Sequence, residues 1–289
     1  MQWWPIFVTL CETLRKQVDT QETPIEKDAA AVVRSRLSLE PTGGRRFLTG
    51  LCHFVFLMET AGNPAKVAVR VATPSTRRLL AGGVYWNNLP RPIGVPLPRM
   101  LAVDLRPSEI QFPFVILEYL TGVDLHAVYP ELSHEDKFHV TSETVGIQQK
   151  VSALPIARGF GYAVSYEDAP QFPTWSAALA AILEQAVQRI NGRDHPGRSY
   201  LDQTSRILNR HEAYFAAIRP MPFLDDTTTK NVLVDNGRLA GVVDVDQVCF
   251  GDPLLTIGLT EIALLANGYD LDYSGHWMSI LGLTNHQRG

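Results

Sequence analysis

The sequence predicts an α+β protein of two lobes, a small lobe of antiparallel strands followed by a mainly helical lobe. Its 289 residues are enough to bury two cores. Short apolar runs separated by turn residues, the pattern of paired strands, dominate up to about residue 120. Beyond residue 122, apolar residues recur mainly at helical spacing. This change of pattern places the junction of the lobes near residue 120.

The first lobe is predicted to contain three helices and four strands, and the first of these helices, an amphipathic one through about Val18, lies outside the residues that the structure describes. Apolar residues from Pro24 to Leu39 form one face and predict a helix, which Pro41–Gly44 breaks. A third helix is expected from Ser75 to Leu89, with an interruption at Gly82 and Gly83. The strands are predicted at residues 47–58, 66–71, 99–103 and 112–120.

The second lobe is predicted to hold four helices and one hairpin. Ser133 is suited to cap the first helix, with Glu135 and Asp136 in its first turn. Asn236 and Gly237 predict a tight β-hairpin turn between two apolar runs, residues 232–234 and 239–243. The helices are predicted at residues 133–152, 174–189, 201–218 and 254–265.

Composition sets the compartment and excludes several partner classes. The chain is 45% hydrophobic and 19% charged, as ordinary globular proteins are. Three scattered cysteines, without metal-ligand spacing, argue against a disulfide framework and favour a reducing cytoplasm. The apolar start lacks the flanks of a secretory signal, and no run approaches the roughly 20 apolar residues that cross a bilayer. No basic cluster with interleaved aromatic residues indicates nucleic acid. We expect a cytoplasmic protein with neither membrane nor nucleic-acid partner.

Charge is divided unevenly along the chain. Residues 1–122 carry 14 basic and 10 acidic side chains, whereas residues 123–289 carry 12 and 20. This asymmetry is in the sense expected if one half handles phosphate and the other a metal ion. Dispersed, solvated charges would give the same counts, so both interpretations stay open. An acidic second half would also favour a cationic small-molecule substrate.

Three oxygen-bearing side chains can converge around the predicted hairpin. Asp226 precedes it, Asn231 opens it five residues later, and Asp244 leaves its second strand. One carboxylate that accepts a hydroxyl proton, with an amide oxygen and a second carboxylate that hold magnesium, is the set that magnesium-dependent kinases need. Any single aspartate is more often a turn or cap residue, but the combined spacing favours the functional interpretation.

The segment from Leu224 to Asn231 resembles the catalytic loop of the aminoglycoside phosphotransferase and choline-kinase-like family. That loop has the form His-x-Asp-x-x-x-x-Asn, and Leu224 stands here in the His position. Residues 241–246, continued by 251–253, resemble the family's metal-binding segment. The resemblance runs from about Thr42 to Leu265. It implies a bilobal protein-kinase-like fold with a nucleotide-binding lobe at 1–117, a hinge at 118–122 and a catalytic and substrate lobe at 123–289. It also implies one more substrate-lobe helix than the chain reaches, and so a truncated or compact form.

The resemblance assigns roles to the residues around the hairpin. Asp226 is the expected catalytic base, Asn231 and Asp244 are the expected magnesium ligands, and Asp246 is an accessory ligand. The implied activity is transfer of the γ-phosphate of ATP, with Mg2+, to a hydroxyl group of a small molecule such as an aminoglycoside.

The resemblance also assigns a nucleotide site in the first lobe. Val67-Ala68-Val69-Arg70 is similar to the kinase motif V-A-I-K, so Arg70 would bind the ATP phosphates. Gly50 belongs to a loop that would cover the nucleotide, and His53 in that loop is expected to be a half-buried strand residue. Hinge backbone groups of Glu118 and Leu120 would hold adenine.

Three departures from the family pattern keep other functions open. Residues 72–102 contain no Asp or Glu, so Arg70 is predicted to lack the helix carboxylate that kinases pair with this cation, unless a residue from elsewhere supplies one. With Leu224 in the His position and Arg70 in the Lys position as well, a kinase-like scaffold that binds nucleotide without catalysis is a second hypothesis. Retention of Asp226 argues against it, because such a scaffold would not need a base.

A phosphatase of the haloacid dehalogenase type is the third hypothesis. In that class Asp244 would be the nucleophile and Asp246 the acid and base. Only 43 residues follow Asp246, too few for the further βα units that such an enzyme needs.

Overall fold

The computed structural model describes residues 23–48, 52–106, 110–168, 172–190 and 198–284, with the side chains of residues 185–190 and 198–201 left out. The first lobe is a five-stranded antiparallel sheet with one helix against each face. Its strands are β1 (Pro41–Phe47), β2 (Phe54–Thr60), β3 (Lys66–Val71), β4 (Met100–Asp104) and β5 (Phe114–Glu118). They lie side by side in the order β1-β2-β3-β5-β4. The helices are α1 (Glu26–Leu37) and α2 (Arg77–Asn87), and a short 3-10 helix at Arg91–Ile93 precedes β4.

Strand β3 separates the apolar and the functional face of this sheet. Val67, Val69 and Val71 are buried against α1, in a cluster that also contains Val32 and Val33. Because side chains alternate along a strand, Ala68 and Arg70 point to the opposite face, where α2 packs. Arg70 therefore projects from a buried strand toward α2 and the second lobe.

Two expectations for the first lobe are wrong. Helix α1 ends at Leu37, before Pro41–Gly44, as predicted, and these residues begin the edge strand β1, but the strand expected at 47–58 is split, with β2 beginning at Phe54. Pairing with β2 outweighs the weak strand preference of Gly43 and Gly44. Helix α2 also runs through Gly82 and Gly83 without the predicted interruption.

The chain passes to the second lobe through residues 119–122. Strand β6 (Val123–Asp124) then pairs with β9 (Val232–Asp235), which pairs in turn with β10 (Arg238–Val242). The hairpin β9–β10 is the one that Asn236 and Gly237 predicted, with both residues at positive φ. Leu120 lies over β10 at Gly241, where a Cβ would come within 2.6 Å of Leu120 Cδ1.

Helices and one further small sheet complete the second lobe. After the single-turn helix α3 (Leu125–Val128), the predicted helix at 133–152 is α4 (His134–Ser152), with Ser133 as its cap. The helix expected at 201–218 is divided into α6 (Arg198–Arg210) and α7 (Glu212–Ala217). The other helices are α5 (Trp175–Ile190), α8 (Leu255–Ala266) and α9 (Asp272–Ile280). The small sheet has the order β7-β11-β8, formed by Gly161–Ala163, Val248–Gly251 and Met221–Phe223.

Among the described residues, no helix has the length and apolarity to span a membrane.

Candidate active site

The loop between β8 and β9 brings Asp226 and Asn231 into contact. Asn231 Nδ2 donates to Asp226 Oδ2 at 2.8 Å and to the Asp226 carbonyl at 3.2 Å. Because the amide nitrogen is committed to Asp226, the amide oxygen is the atom of Asn231 that can serve a cation. The acid and the amide that the sequence placed five residues apart thus share one side of the loop.

Asp244 lies next to this pair, directly after the second strand of the hairpin. The Val243 N–H donates to the Asn231 carbonyl at 3.0 Å, so β10 ends beside the start of β9. Asn231 and Asp244 both have φ of 64°, in the left-handed region that non-glycine residues rarely adopt. Such backbone strain concentrates at functional sites. The Asp124 carboxylate, which accepts the Asn231 N–H at 3.3 Å, helps to hold this conformation.

Arg70 reaches across from the first lobe and pairs with two aspartates. Its NH2 group lies 2.5 Å from Asp244 Oδ1 and 2.8 Å from Asp246 Oδ2. His53 Nδ1 lies 2.8 Å from the same NH2 group and 3.1 Å from Asp246 Oδ2. The Asp244 side chain is 49% exposed to solvent, whereas those of Arg70 and Asp246 are 10% and 13% exposed.

These contacts resolve one open alternative and correct one expectation. Arg70 has no carboxylate partner on α2, as predicted, but the loop after β10 supplies Asp244 and Asp246 from 174 and 176 residues away in sequence. His53 is not a half-buried strand residue. It lies just before β2, is 4% exposed and also approaches the Thr76 carbonyl, with Nε2 at 3.4 Å.

The charge cluster fixes the ionised state of its members. Burial lowers the pKa of Arg70, but the nearby charges of Asp246 and Asp244 outweigh burial and raise that pKa above its usual value. Burial raises the pKa of Asp246, yet the Arg70 charge and the contact with His53 outweigh burial and leave that pKa below its ordinary range. Arg70 and Asp246 are therefore held as an ion pair.

The environment of Asp226 differs from that of the ion pair. Asp226 is exposed at the surface, yet desolvation by the protein around its carboxyl group raises the pKa of Asp226 well above its ordinary value, and the like charges of Asp225 and Asp244 raise it further. Asp225 is 7% exposed and accepts a hydrogen bond from the Tyr162 hydroxyl at 2.9 Å. Burial raises the pKa of Asp225 to about 6, although the Tyr162 bond opposes this shift. An effective general base has a pKa near the working pH, so a raised pKa makes a carboxylate a better proton acceptor near neutral pH.

Gln148, on α4, anchors the loop at Leu224, and the sequence did not identify it. Gln148 Nε2 donates to the Leu224 carbonyl and to Thr227 Oγ1, each at 2.6 Å, and Gln148 Oε1 accepts the Leu224 N–H at 3.1 Å. All three residues are buried. Leu224 itself packs in an apolar cluster with Trp86 and Phe250. A glutamine within a helical pattern carries no local signal of such a role.

The residues expected to bind nucleotide are spread along the sheet. Glu118 pairs with Val67 of β3, and its N–H donates to the Arg99 carbonyl at 2.8 Å. Arg70 is three residues further along β3, a separation of about 10 Å at the usual rise of a strand. Leu120 packs on β10, as described above, and Gly50 falls outside the described residues.

The chemistry of the donor set determines which metal would fit. Asn231 and Asp244 offer an amide oxygen and a carboxylate, the hard ligands that Mg2+ prefers. His53, Asp244 and Asp246 also place potential ligand atoms within 4.8 Å of one another. Within that group, however, Arg70 already contacts both carboxylates, and a histidine ligand suits transition metals better than Mg2+. The oxygen pair is the part of the site that fits Mg2+.

The architecture is the protein-kinase-like fold, with a small antiparallel-sheet lobe beside a mainly helical one, as expected. A model of the phosphotransferase enzyme family matches residues 48–260. This match covers most of the chain, so the chain belongs to the phosphotransferase enzyme family, and the resemblance seen in the sequence is confirmed. By sequence comparison, the chain matches none of the curated proteins.

Solved structures of aminoglycoside phosphotransferases share this fold. A thermostable mutant of APH(4)-Ia in ternary complex with AMP-PNP and hygromycin B is 17% identical, with a TM-score of 0.64 over 90% of this chain and 86% of that one. The streptomycin-ATP-APH(2")-IIa ternary complex is 14% identical, with a TM-score of 0.62 over 92% and 85%. ADP-bound APH(2'')-Ib is 15% identical, with a TM-score of 0.59 over 89% and 83%.

These findings do not favour the haloacid dehalogenase alternative. Its βα units would require parallel strands, whereas all strand pairs among the described residues are antiparallel. Asp244, its expected nucleophile, is also paired with Arg70.

Proposed function

We propose that the protein transfers the γ-phosphate of ATP, with Mg2+, to a hydroxyl group of a small molecule in the cytoplasm. Membership of the phosphotransferase enzyme family supports the reaction class. The observation that carries the proposal is the convergence of Asp226, Asn231 and Asp244 at the open end of one hairpin, where β9 begins and β10 ends.

In this proposal Asp226 receives the proton of the acceptor. The acceptor oxygen forms a bond to the γ-phosphorus, the bond from that phosphorus to the β,γ-bridging oxygen breaks, and ADP leaves. The hydroxyl proton passes to the Asp226 carboxylate. The raised pKa of Asp226 favours this transfer, and the hydrogen bond from Asn231 fixes the orientation of the carboxylate.

Asn231 Oδ1 and the Asp244 carboxylate would hold Mg2+. Bound there, the ion would neutralise charge on the β- and γ-phosphates. The accessory role expected of Asp246 has weaker support. Its Oδ2 is taken by Arg70 and His53, and its Oδ1 lies against α2, where a Cβ at Gly83 would come within 2.5 Å.

The nucleotide would lie along the cleft side of the first lobe. Arg70 would bind phosphate oxygens, and the backbone at Glu118 and Leu120 would hold adenine. The separation of about 10 Å between Arg70 and Glu118 along the sheet suits a nucleotide lying between them. Gly50, which lies outside the described residues, keeps the role proposed from the sequence, which is to cover the phosphates. In this proposal the nucleotide-binding lobe comprises residues 1–117, the hinge residues 118–122, and the catalytic and substrate lobe residues 123–289.

The acceptor is proposed to be a small molecule with cationic groups. The excess of acidic residues in the second half supports this class, and the similar structures hold the aminoglycosides hygromycin B, gentamicin and streptomycin. These amines are therefore the first acceptors to test, followed by sugars and amino alcohols without a positive charge.

The test is acceptor-dependent release of ADP, with the product identified by mass spectrometry as the acceptor plus one phosphate. The wild-type protein with ATP and Mg2+ is expected to phosphorylate at least one acceptor of the panel. Asp226→Asn should lower turnover by about 100- to 10,000-fold. Asp235→Asn, in the exposed hairpin turn, is the matched control and should keep full turnover. ATP binding with no turnover of any acceptor would instead support the binding-only scaffold.

A further inference from the structure

The ion pair of Arg70 and Asp246 links the sheet of the first lobe to the loop after β10. We propose that Asp246 is a positioning residue that holds Arg70 for the nucleotide phosphates, in the role that kinases give to a helix carboxylate. This inference rests on the proposed function, because it needs Arg70 to bind nucleotide. It gives Asp246 a role different from that of a metal ligand.

The geometry of Asp246 is that of a partner for Arg70. Its Oδ2 accepts from Arg70 NH2 at 2.8 Å and contacts His53 Nδ1 at 3.1 Å. His53 Nδ1 also lies 2.8 Å from Arg70 Nη2, so the same guanidinium nitrogen contacts both Asp246 and His53. Asp246 is the more buried of the two aspartates that Arg70 contacts, with its side chain 13% exposed against 49% for Asp244.

Helix α2 is shaped to admit this carboxylate. A Cβ at Gly82 would lie 2.2 Å from the Asp246 carbonyl oxygen, and a Cβ at Gly83 would lie 2.5 Å from Asp246 Oδ1. Either distance is shorter than real Cβ contacts, so a larger residue would displace the loop. Gly82 and Gly83, where the sequence predicted an interruption of the helix, are thus the positions at which α2 approaches Asp246.

The same helix position could deliver a carboxylate to Arg70 directly. A Cβ at Gly83 would lie 3.5 Å from Arg70 NH1. An aspartate there could reach the guanidinium from the helix, as the usual kinase carboxylate does. Residues 72–102 contain no acid. In this chain Asp246 therefore fills the space that a helix side chain at position 83 would take, and it supplies the negative charge beside Arg70.

This arrangement predicts that Asp246 and Asp244 affect nucleotide binding under different conditions. Asp246 should matter for nucleotide affinity even without metal, because it acts on Arg70. Asp244, the more exposed of the two, should matter mainly when Mg2+ is present. Binding of ADP, measured with EDTA and again with Mg2+, distinguishes these roles without any assay of turnover.

The experiment moves the carboxylate from the loop to the helix. Asp246→Ala should weaken ADP binding in EDTA by about tenfold or more, the effect of losing a hydrogen-bonded charge partner. Gly83→Asp alone should also weaken binding, because two carboxylates then compete for one space. The double variant Gly83→Asp with Asp246→Ala should bind ADP within about threefold of the wild type. Asp235→Ala is the exposed control and should leave binding unchanged.

A second variant keeps the test valid if Asp246→Ala does not fold. Asp246→Asn keeps the shape of the side chain and removes its charge. It should weaken ADP binding in EDTA severalfold and still show the full gain in affinity on adding Mg2+.

Three outcomes would overturn the inference. These are folded Asp246 variants with unchanged ADP affinity, a double variant no better than its parents, or an Asp246→Asn protein that loses the gain from Mg2+. A wild-type protein that binds no ADP under either condition would overturn the proposed function together with this inference, whereas the three outcomes above leave the proposed function standing.

Discussion

The loop that carries Asp226 and the strand that carries Arg70 face the same cleft but follow the family pattern to different degrees. The loop keeps its acid, its amide and the acid after the hairpin. The strand side has Arg for Lys and no acid on α2. The structure nevertheless pairs Arg70 with two aspartates. A group that touches the reacting atoms is fixed in position, whereas a charge partner needs only to be close, so it can come from another segment.

Removal of Arg70 should have the largest effect on stability. Arg70→Ala leaves the buried Asp246 without its charge partner, which should lower the free energy of unfolding by about 3–5 kcal/mol. Arg70→Lys keeps a charge and should cost less. Urea unfolding of both variants measures the difference. An Arg70→Ala protein as stable as the wild type would show that the cluster on the strand side contributes no net stability.

The Asp225 carboxyl tests the loop side through pH. Its folded pKa of about 6 exceeds the ordinary 3.8, so the folded state keeps this proton to higher pH than the unfolded chain does. The stability from this group is complete below about pH 4 and is lost as the pH rises through about 6. Asp225→Asn removes that loss. Between pH 4 and pH 7, the free energy of unfolding of the variant should rise relative to that of the wild type by up to about 3 kcal/mol.

Melting curves of the two proteins across this pH range, analysed as differences, check the expectation. A difference between variant and wild type that does not change with pH would contradict the assigned environment of Asp225.

Gln148 tests whether the loop depends on its buried anchor. Gln148→Leu leaves the Leu224 N–H without its partner and should lower the free energy of unfolding by about 2 kcal/mol. Turnover should fall as well, because Asp226 is two residues from Leu224. Gln149→Leu changes the exposed neighbour on the same helix and is the matched control. Equal effects of the two substitutions would argue against the anchor.

Two glycine substitutions give the smallest and sharpest comparison. Gly83→Ala places a methyl group 2.5 Å from Asp246 Oδ1 and should destabilise the protein by about 1–3 kcal/mol. Gly146→Ala, in α4 with nothing within 4 Å of its Cβ position, should stabilise it by about 0.5–1 kcal/mol. Thermal unfolding should therefore give opposite signs for one substitution in two helices. If Gly83→Ala stabilised the protein, that result would contradict the close approach of α2 to the loop.

Features with a local cause were predictable from the sequence. The start of α4 follows from Ser133, whose hydroxyl accepts the Asp136 N–H at 3.1 Å. The β9–β10 hairpin follows from Asn236 and Gly237, and it sets Asn231 beside Asp244. The core of the proposed site therefore depends on short-range signals.

Features set by distant contacts were not predictable. Strand β1 contains Gly43 and Gly44, which resemble a turn until β2 is there to pair with them. The partner of Arg70 is 176 residues away, and Gln148 meets Leu224 across 76 residues. The interruption predicted in α2 was wrong for the same reason. Its glycines are explained by the close contact with Asp246, which the local sequence does not show.

Binding of AMP-PNP with and without Mg2+, measured by calorimetry on the wild type and on Asp244→Asn, tests the central claim most directly. If Asn231 and Asp244 hold the metal ion, Mg2+ should tighten binding to the wild type by about tenfold or more, and Asp244→Asn should lose this gain. Asp235→Asn should keep it. An equal gain in Asp244→Asn, or no binding of AMP-PNP to the wild type, would contradict the account.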